Sequence, residues 1–154
     1  MRKLLLIYAL LSGFRAYSQA FYEGPAWTDY GNLTYTAFGW SMSNAGDVNG
    51  DGFEDMIVSA IDYSNPEETN GEEGKLSLYY GGPAGLETEP AWEFESNNDS
   101  SVLGFSTSGG DLNGDGFSDV VVGCLQWTGE EYDEGRIYLW YGSERGLNAG
   151  EPDW

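Results

Sequence analysis

One nine-residue pattern occurs twice, with the same residue at every position but the second and the eighth. It reads Asp47-Val48-Asn49-Gly50-Asp51-Gly52-Phe53-Glu54-Asp55 and then Asp111-Leu112-Asn113-Gly114-Asp115-Gly116-Phe117-Ser118-Asp119. The likeness extends on both sides. Gly39-Trp40-Ser41 matches Gly104-Phe105-Ser106, Asp55-Met56-Ile57-Val58 matches Asp119-Val120-Val121-Val122, and Gly74-Lys75-Leu76-Ser77-Leu78-Tyr79-Tyr80-Gly81 matches Gly135-Arg136-Ile137-Tyr138-Leu139-Trp140-Tyr141-Gly142. Self-similarity of this length is the mark of a repeat architecture, in which each copy is one supersecondary unit that buries its apolar face against its neighbour. A Pro-Ala-Trp marker at Pro25 to Trp27, repeated at Pro90 to Trp92 and varied at Pro152 to Trp154, puts the tryptophans 65 and 62 residues apart. The unit is therefore about 60 to 65 residues long, and Trp154 is expected to stand in the first strand of a third, truncated copy.

Within a unit, Met56 to Ala60 is an apolar run interrupted only by Ser59, as expected of a strand buried on both faces. Lys75 to Tyr80 alternates polar and apolar residues, as expected of a half-buried strand. The segment after each Gly-Trp or Gly-Phe and the Pro-x-Trp segment bring the total to four short strands, the content of a propeller blade. Most of the 23 glycines stand singly rather than in runs, several of them beside Asn or Asp, which suits tight turns between strands. With 40% hydrophobic and 16% aromatic residues the chain can bury a core. The expected fold is all-β, built of four-stranded antiparallel β-propeller blades, with blade 1 at about residues 36–95 and blade 2 at about 102–154, truncated.

The repeated nonapeptide is a metal-loop pattern. Side-chain oxygens fall at its positions 1, 3, 5 and 9, a glycine at position 6 permits the bend, and the carbonyl of position 7 completes a set of hard oxygen donors. The expected ligands are Asp47, Asn49, Asp51, Phe53 through its carbonyl, and Asp55 in one loop. Asp111, Asn113, Asp115, Phe117 through its carbonyl, and Asp119 repeat them in the other. Three carboxylates per site suit Ca²⁺ better than the more tightly hydrated Mg²⁺. Asp, Asn and Gly are also good turn formers, but two copies in register go beyond what turns require. Neither loop is an EF-hand, because Val58 and Val122 stand where a bidentate Glu at position 12 belongs.

Charge points the same way. The formal net charge is −20. Residues 1–18 read as a secretory signal peptide: Arg2 and Lys3, an apolar stretch from Leu4 to Leu11, and a small-x-small site at Ala16-Tyr17-Ser18. The stretch is far shorter than the roughly 20 residues that span a bilayer, so no membrane insertion is expected after cleavage. Removal of Arg2, Lys3 and Arg15 would leave three basic residues against 26 acids, a formal charge of −23. Such a surface repels nucleic acid and anionic lipid, and its self-repulsion favours bound cations. Secretion or display at the cell surface is the expected location.

Little speaks for catalysis. The chain has no histidine, which removes Ser-His and Cys-His mechanisms and His-based zinc sites. Cys124, the single cysteine, follows an apolar run and reads as a small buried hydrophobe. The acidic runs at Glu67 to Glu73 and Glu130 to Glu134 read as solvated loops. Trp127 is the most suggestive platform for a sugar, although Trp27, Trp92 and Trp154 recur at matching places and read as inter-blade packing. Asn32 and Asn98 match the glycosylation sequon, which matters only in a eukaryotic secretory pathway.

With the calcium loops, the Phe38-Gly39 dipeptide and its Leu103-Gly104 counterpart, the chain resembles the FG-GAP repeat family over residues 24–154. Where that family has Gly-Ala-Pro, Ser59-Ala60-Ile61 and Gly123-Cys124-Leu125 stand here, without the proline. The resemblance implies a seven-bladed calcium-binding β-propeller of the kind found in integrin α-chains and bacterial surface proteins, with the calcium loop between the first two strands of a blade. Two blades cannot close a propeller, so the chain reads as an N-terminal fragment whose first Pro-Ala-Trp segment completes the last blade. The implied function is adhesion or binding of an extracellular protein or glycan, with calcium structural and no enzyme activity. The alternative is a carbohydrate-binding module appended to a secreted polysaccharide-degrading enzyme.

Overall fold

In the computed structural model, residues 27–31, 33, 35–66 and 71–154 are described. The expected signal peptide, the Asn32 sequon and Glu67-Glu68 lie outside them. The described elements are all strands: β1 (Phe38–Gly46), β2 (Asp55–Ala60), β3 (Lys75–Tyr79) and β4 (Trp92–Glu95), then β5 (Leu103–Gly110), β6 (Asp119–Cys124) and β7 (Arg136–Trp140). They form two antiparallel sheets with neighbours in chain order, β1-β2-β3-β4 and β5-β6-β7. The nonapeptides occupy the turns from β1 to β2 and from β5 to β6, between the first two strands of each sheet, as expected.

The Pro-x-Trp marker supplies the fourth strand of the first sheet, as the strand count and the bounds of blade 1 implied. Trp92 opens β4 and pairs with Leu78 of β3, so the marker begins the outermost strand of its own sheet. In the second sheet the Asp153 N–H donates to the Leu139 carbonyl and the Leu139 N–H donates to the Trp154 carbonyl, both at 2.8 Å. Trp154 therefore stands at the fourth-strand position beside β7 and does not open a third copy. The chain before Trp92 and before Trp154 turns back onto the strand just completed, and this corrects the expectation of a third copy at Trp154.

The Phe-Gly dipeptide has a local cause. Gly39 and Gly104 adopt φ of +85° and +86°, and the pairing register slips between Phe38 and Met42 and again between Leu103 and Ser106. Each glycine sits in a bulge that L side chains disfavour. At Gly104 there is also no room, since an added Cβ would lie 2.4 Å from the Cβ of Ser59 in the neighbouring sheet.

The core lies between the sheets. Ile57, Leu76 and Leu78 of the first meet Leu103, Val120, Val122 and Cys124 of the second, each large aliphatic side chain contributing about 1.5–3 kcal/mol on burial. An aromatic group closes the outer edge: Trp140 meets Trp92 at 5.2 Å and Phe94 at 4.9 Å, both edge to face, and stacks with Tyr138 at 5.7 Å. Polar clasps cross the same seam. The Thr107 hydroxyl lies 3.0 Å from those of Ser41 and Ser43, and Asn98 bonds both backbone groups of Thr128 at 3.1 and 3.3 Å.

The two copies differ on their far faces. β2 is buried on both faces, as its apolar run implied. β3 is also buried on both faces, not half-buried: Tyr79 is covered by the Trp27 ring at 5.1 Å and its hydroxyl donates to Asp29. Its counterpart β7 is covered on one face only: Tyr138 and Trp140 are buried, while Ile137 on the other face is 55% exposed.

Candidate metal centre

The antiparallel pairs Gly46↔Asp55 and Gly110↔Asp119 fix the ends of the two loops. Between them the acidic and amide side chains wind the backbone round themselves. In the first loop Asp47 accepts the Asp51 N–H on Oδ1 at 3.0 Å and the Gly52 N–H on Oδ2 at 2.9 Å. Asn49 Oδ1 also accepts the Asp51 N–H at 3.0 Å, Asp51 Oδ1 accepts the Phe53 N–H at 2.9 Å, and the Asn49 amide donates to Asp51 Oδ2 at 3.1 Å. The second loop repeats the scheme. Asp111 takes the Asp115 and Gly116 N–H groups at 3.2 and 3.1 Å, Asn113 the Asp115 N–H at 2.9 Å, and Asp115 the Phe117 N–H at 2.9 Å. Short polar side chains bonding the backbone two residues on make such turns.

The ninth residue does something the sequence did not signal. Asp55 is 2% exposed and Asp119 0%. Asp55 accepts the Val48 N–H on Oδ2 and the Gly81 N–H on Oδ1, both at 2.9 Å. Asp119 accepts the Leu112 N–H at 2.8 Å and the Gly142 N–H at 3.0 Å in the same way. Each thus clasps the start of its own loop to the backbone just after the third strand of its sheet. Burial pushes the Asp55 carboxyl up, the Gly81 and Val48 N–H groups pull it down, and the Asp51 and Asp47 carboxylates add to the rise.

Each loop carries in sequence four oxygen-bearing side chains and one main-chain carbonyl, donor types that would suit a hard cation with oxygen preference. Among the described residues no three His, Cys, Asp or Glu side chains converge to hold one ion, and the loop carboxylates instead accept the loop's own N–H groups. A carboxylate oxygen has a second lone pair after accepting one hydrogen bond, so backbone donors and a cation can share it.

A profile of the FG-GAP repeat matches residues 38–79 and 103–140. The chain belongs to the FG-GAP repeat family. Each match runs from the Phe-Gly or Leu-Gly bulge through the loop to the third strand, so the two sheets are FG-GAP propeller blades. Among curated proteins the chain is 31% identical over 131 residues to phosphatidylinositol-glycan-specific phospholipase D of Mus musculus, covering 79% of this chain and 15% of that protein. It is 31% identical over 118 residues to integrin alpha-PS2 of Drosophila melanogaster, covering 71% of this chain and 8% of the relative. To integrin alpha-5 of Xenopus laevis it is 33% identical over 96 residues, 59% of this chain and 9% of the relative. The chain thus spans less than a fifth of the length of these relatives.

Other sequence candidates in the FG-GAP blades resolve differently. Cys124 is buried and its thiol, which donates to the Ser101 carbonyl at 3.2 Å, is pushed up by burial. The Trp127 face is taken by the Arg136 guanidinium at 4.7 Å from its centroid. Trp92 packs between the blades as expected, whereas Trp154 is 71% exposed. Glu73 corrects the reading of the acidic runs as solvated: it is fully buried and accepts the Asn65 N–H at 3.0 Å, while Glu72, Glu130, Glu131 and Glu134 are exposed. Among the described residues no helix is long and apolar enough to cross a membrane.

Proposed function

We propose that the loops Asp47–Asp55 and Asp111–Asp119 each hold one structural Ca²⁺ in a propeller segment that works outside the cell as a recognition surface. The observation that carries this reading is the duplicated loop, in which the same residue types make the same hydrogen bonds in both copies. Asp47, Asn49, Asp51, Asp55 and the Phe53 carbonyl would hold one ion, and Asp111, Asn113, Asp115, Asp119 and the Phe117 carbonyl the other. Bound calcium supplies positive charge that neutralises crowded carboxylates. The protein contributes the rest: side chains that wind the loop, glycines that let it bend, and a buried Asp that ties it to the sheet. The far end of each blade is then a rigid base for binding an extracellular protein or glycan, as in adhesion. The signal-peptide pattern in the sequence of residues 1–18 and the acidity of the chain support secretion or surface display.

A second reading is favoured by one observation, the likeness to an enzyme, phosphatidylinositol-glycan-specific phospholipase D. On that reading the blades accompany a secreted hydrolase and bind its glycan-bearing substrate without taking part in the chemistry.

Thermal unfolding of the chain lacking residues 1–18, with and without calcium, tests the structural role. A ligand bound only by the folded state at a hundredfold excess over Kd stabilises by about 2.7 kcal/mol. Calcium should raise the melting temperature and equimolar magnesium should raise it less. Equal melting temperatures with calcium and with chelator would overturn the reading.

A further inference from the structure

The two nonapeptide loops are joined to each other. The Asp47 carbonyl, at the start of the first loop, accepts the N–H of Ser118 at 2.9 Å, and Ser118 immediately precedes Asp119 of the second loop. The Val48 carbonyl accepts the Ser143 N–H at 3.1 Å, and the neighbouring Gly142 N–H donates to Asp119 Oδ1 at 3.0 Å. The N–H of the same Val48 is held by Asp55 at 2.9 Å. The rings and glycines interlock as well: a Cβ added at Gly50 would lie 2.5 Å from Cε1 of Phe117, and one at Gly46 would lie 2.1 Å from Oγ of Ser118. A continuous path of hydrogen bonds therefore runs from Asp55 through Val48 and the 142–143 backbone to Asp119.

None of these cross-loop bonds is needed to wind either loop. The bonds that shape a loop come from its own side chains and from the turn after the third strand of its own blade. The cross-loop bonds instead make the backbone position of each loop depend on the order of the other. Three carboxylates in one tight loop repel one another, so ordering a loop without a cation is costly. A loop ordered by a bound cation presents fixed carbonyls to its neighbour, which then has less freedom to lose when it binds in turn.

On the reading of the loops as calcium sites, we propose that the two bind calcium with positive cooperativity, because occupancy of one orders the backbone from which the ligand residues of the other project. The path lies between blades, so calcium binding is also a device that locks one blade onto the next. A charge effect opposes it, since a bound dication weakens attraction for a second one. Salt weakens the repulsion between exposed charges, and a loop of three carboxylates stays net negative when filled. Direct hydrogen bonds are not screened.

The test is calorimetric titration with calcium of the chain lacking residues 1–18, at physiological salt, in the wild type and in Asp51→Ala and Asp115→Ala. Each variant removes one exposed ligand and leaves a single site. Asp115→Ala should weaken the surviving first loop by about fivefold or more, in the range of typical coupling. Asp51→Ala should weaken the second loop by the same factor, because coupling is reciprocal. Ser143→Pro, which removes the N–H donated to Val48 and no ligand, should bind two ions with smaller coupling, whereas Ser143→Ala keeps the N–H and the full coupling. If Ser143→Pro fails to fold, the two aspartate variants still decide. Two ions bound in the wild type, with each surviving loop keeping its affinity within twofold, would overturn the cooperativity and leave the calcium reading standing. No calcium bound by the folded wild type would overturn both.

Discussion

Removing the buried clasp should destabilise the protein even when no calcium is present, which separates its role from that of a ligand. In Asp119→Ala the N–H groups of Leu112 and Gly142, now bonded to the carboxylate at 2.8 and 3.0 Å, lose their acceptor in a setting where Asp119 itself is 0% exposed. A hydrogen bond to a charged group is worth about 1.5–3 kcal/mol. Two of them give about 3–6 kcal/mol, and relief from burying the charge trims this to about 2–5 kcal/mol. Asp115→Ala is the control: it is exposed and gives up the Phe117 N–H bond at 2.9 Å, where water can replace it, so about 0–1 kcal/mol is expected. Urea unfolding of both variants in chelator measures the difference. If Asp119→Ala costs no more than Asp115→Ala in chelator, the ninth residue is not a clasp and the reasoning fails.

Gly104→Ala should cost more than Gly39→Ala: both have positive φ, but only at Gly104 does the new Cβ meet the neighbouring sheet, 2.4 Å from Ser59. Denaturant midpoints should put the second at about 1–2 kcal/mol and the first about 1–3 kcal/mol beyond it. Trp140→Ala, which removes the fully buried centre of the aromatic group, should cost about 3–5 kcal/mol, against within about 0.5 kcal/mol for exposed Trp154→Ala. Stability should fall at alkaline pH. Burial pushes Tyr138 and Tyr63 up to about 12 from an ordinary value of 10.0. A raised pKa in the folded state means stability that is complete below pH 10 and lost as pH climbs towards 12. Tyrosinate absorbance should therefore lag in the folded protein and rise with unfolding.

The period-two and apolar-run patterns announced the strands, and the duplicated nonapeptide announced the loops, because both depend on residues adjacent in the chain. Long-range partners were not legible in the same way. Lys75 to Tyr79 alternates like a half-buried strand, yet Trp27 and Asp29, some fifty residues earlier, cover its second face. Glu73 sits in an acidic run that looks solvated, but the Asn65 backbone and the hydroxyls of Ser96 and Ser101 surround it and its carbonyl. The ninth-position aspartates were read as ligands from spacing, whereas their clasp to Gly81 and Gly142 crosses 26 and 23 residues. The placing of Trp154 in a third copy failed for a related reason, since a spacing gives the period of a repeat but not which strand closes a sheet.

The central claim, that the duplicated loops are calcium sites, is tested most directly by counting ions. Equilibrium dialysis of the chain lacking residues 1–18 should give two calcium ions per folded chain, one in Asp51→Ala or Asp115→Ala, and none in the double variant. Two ions retained by a folded double variant, or none bound by the folded wild type, would contradict it.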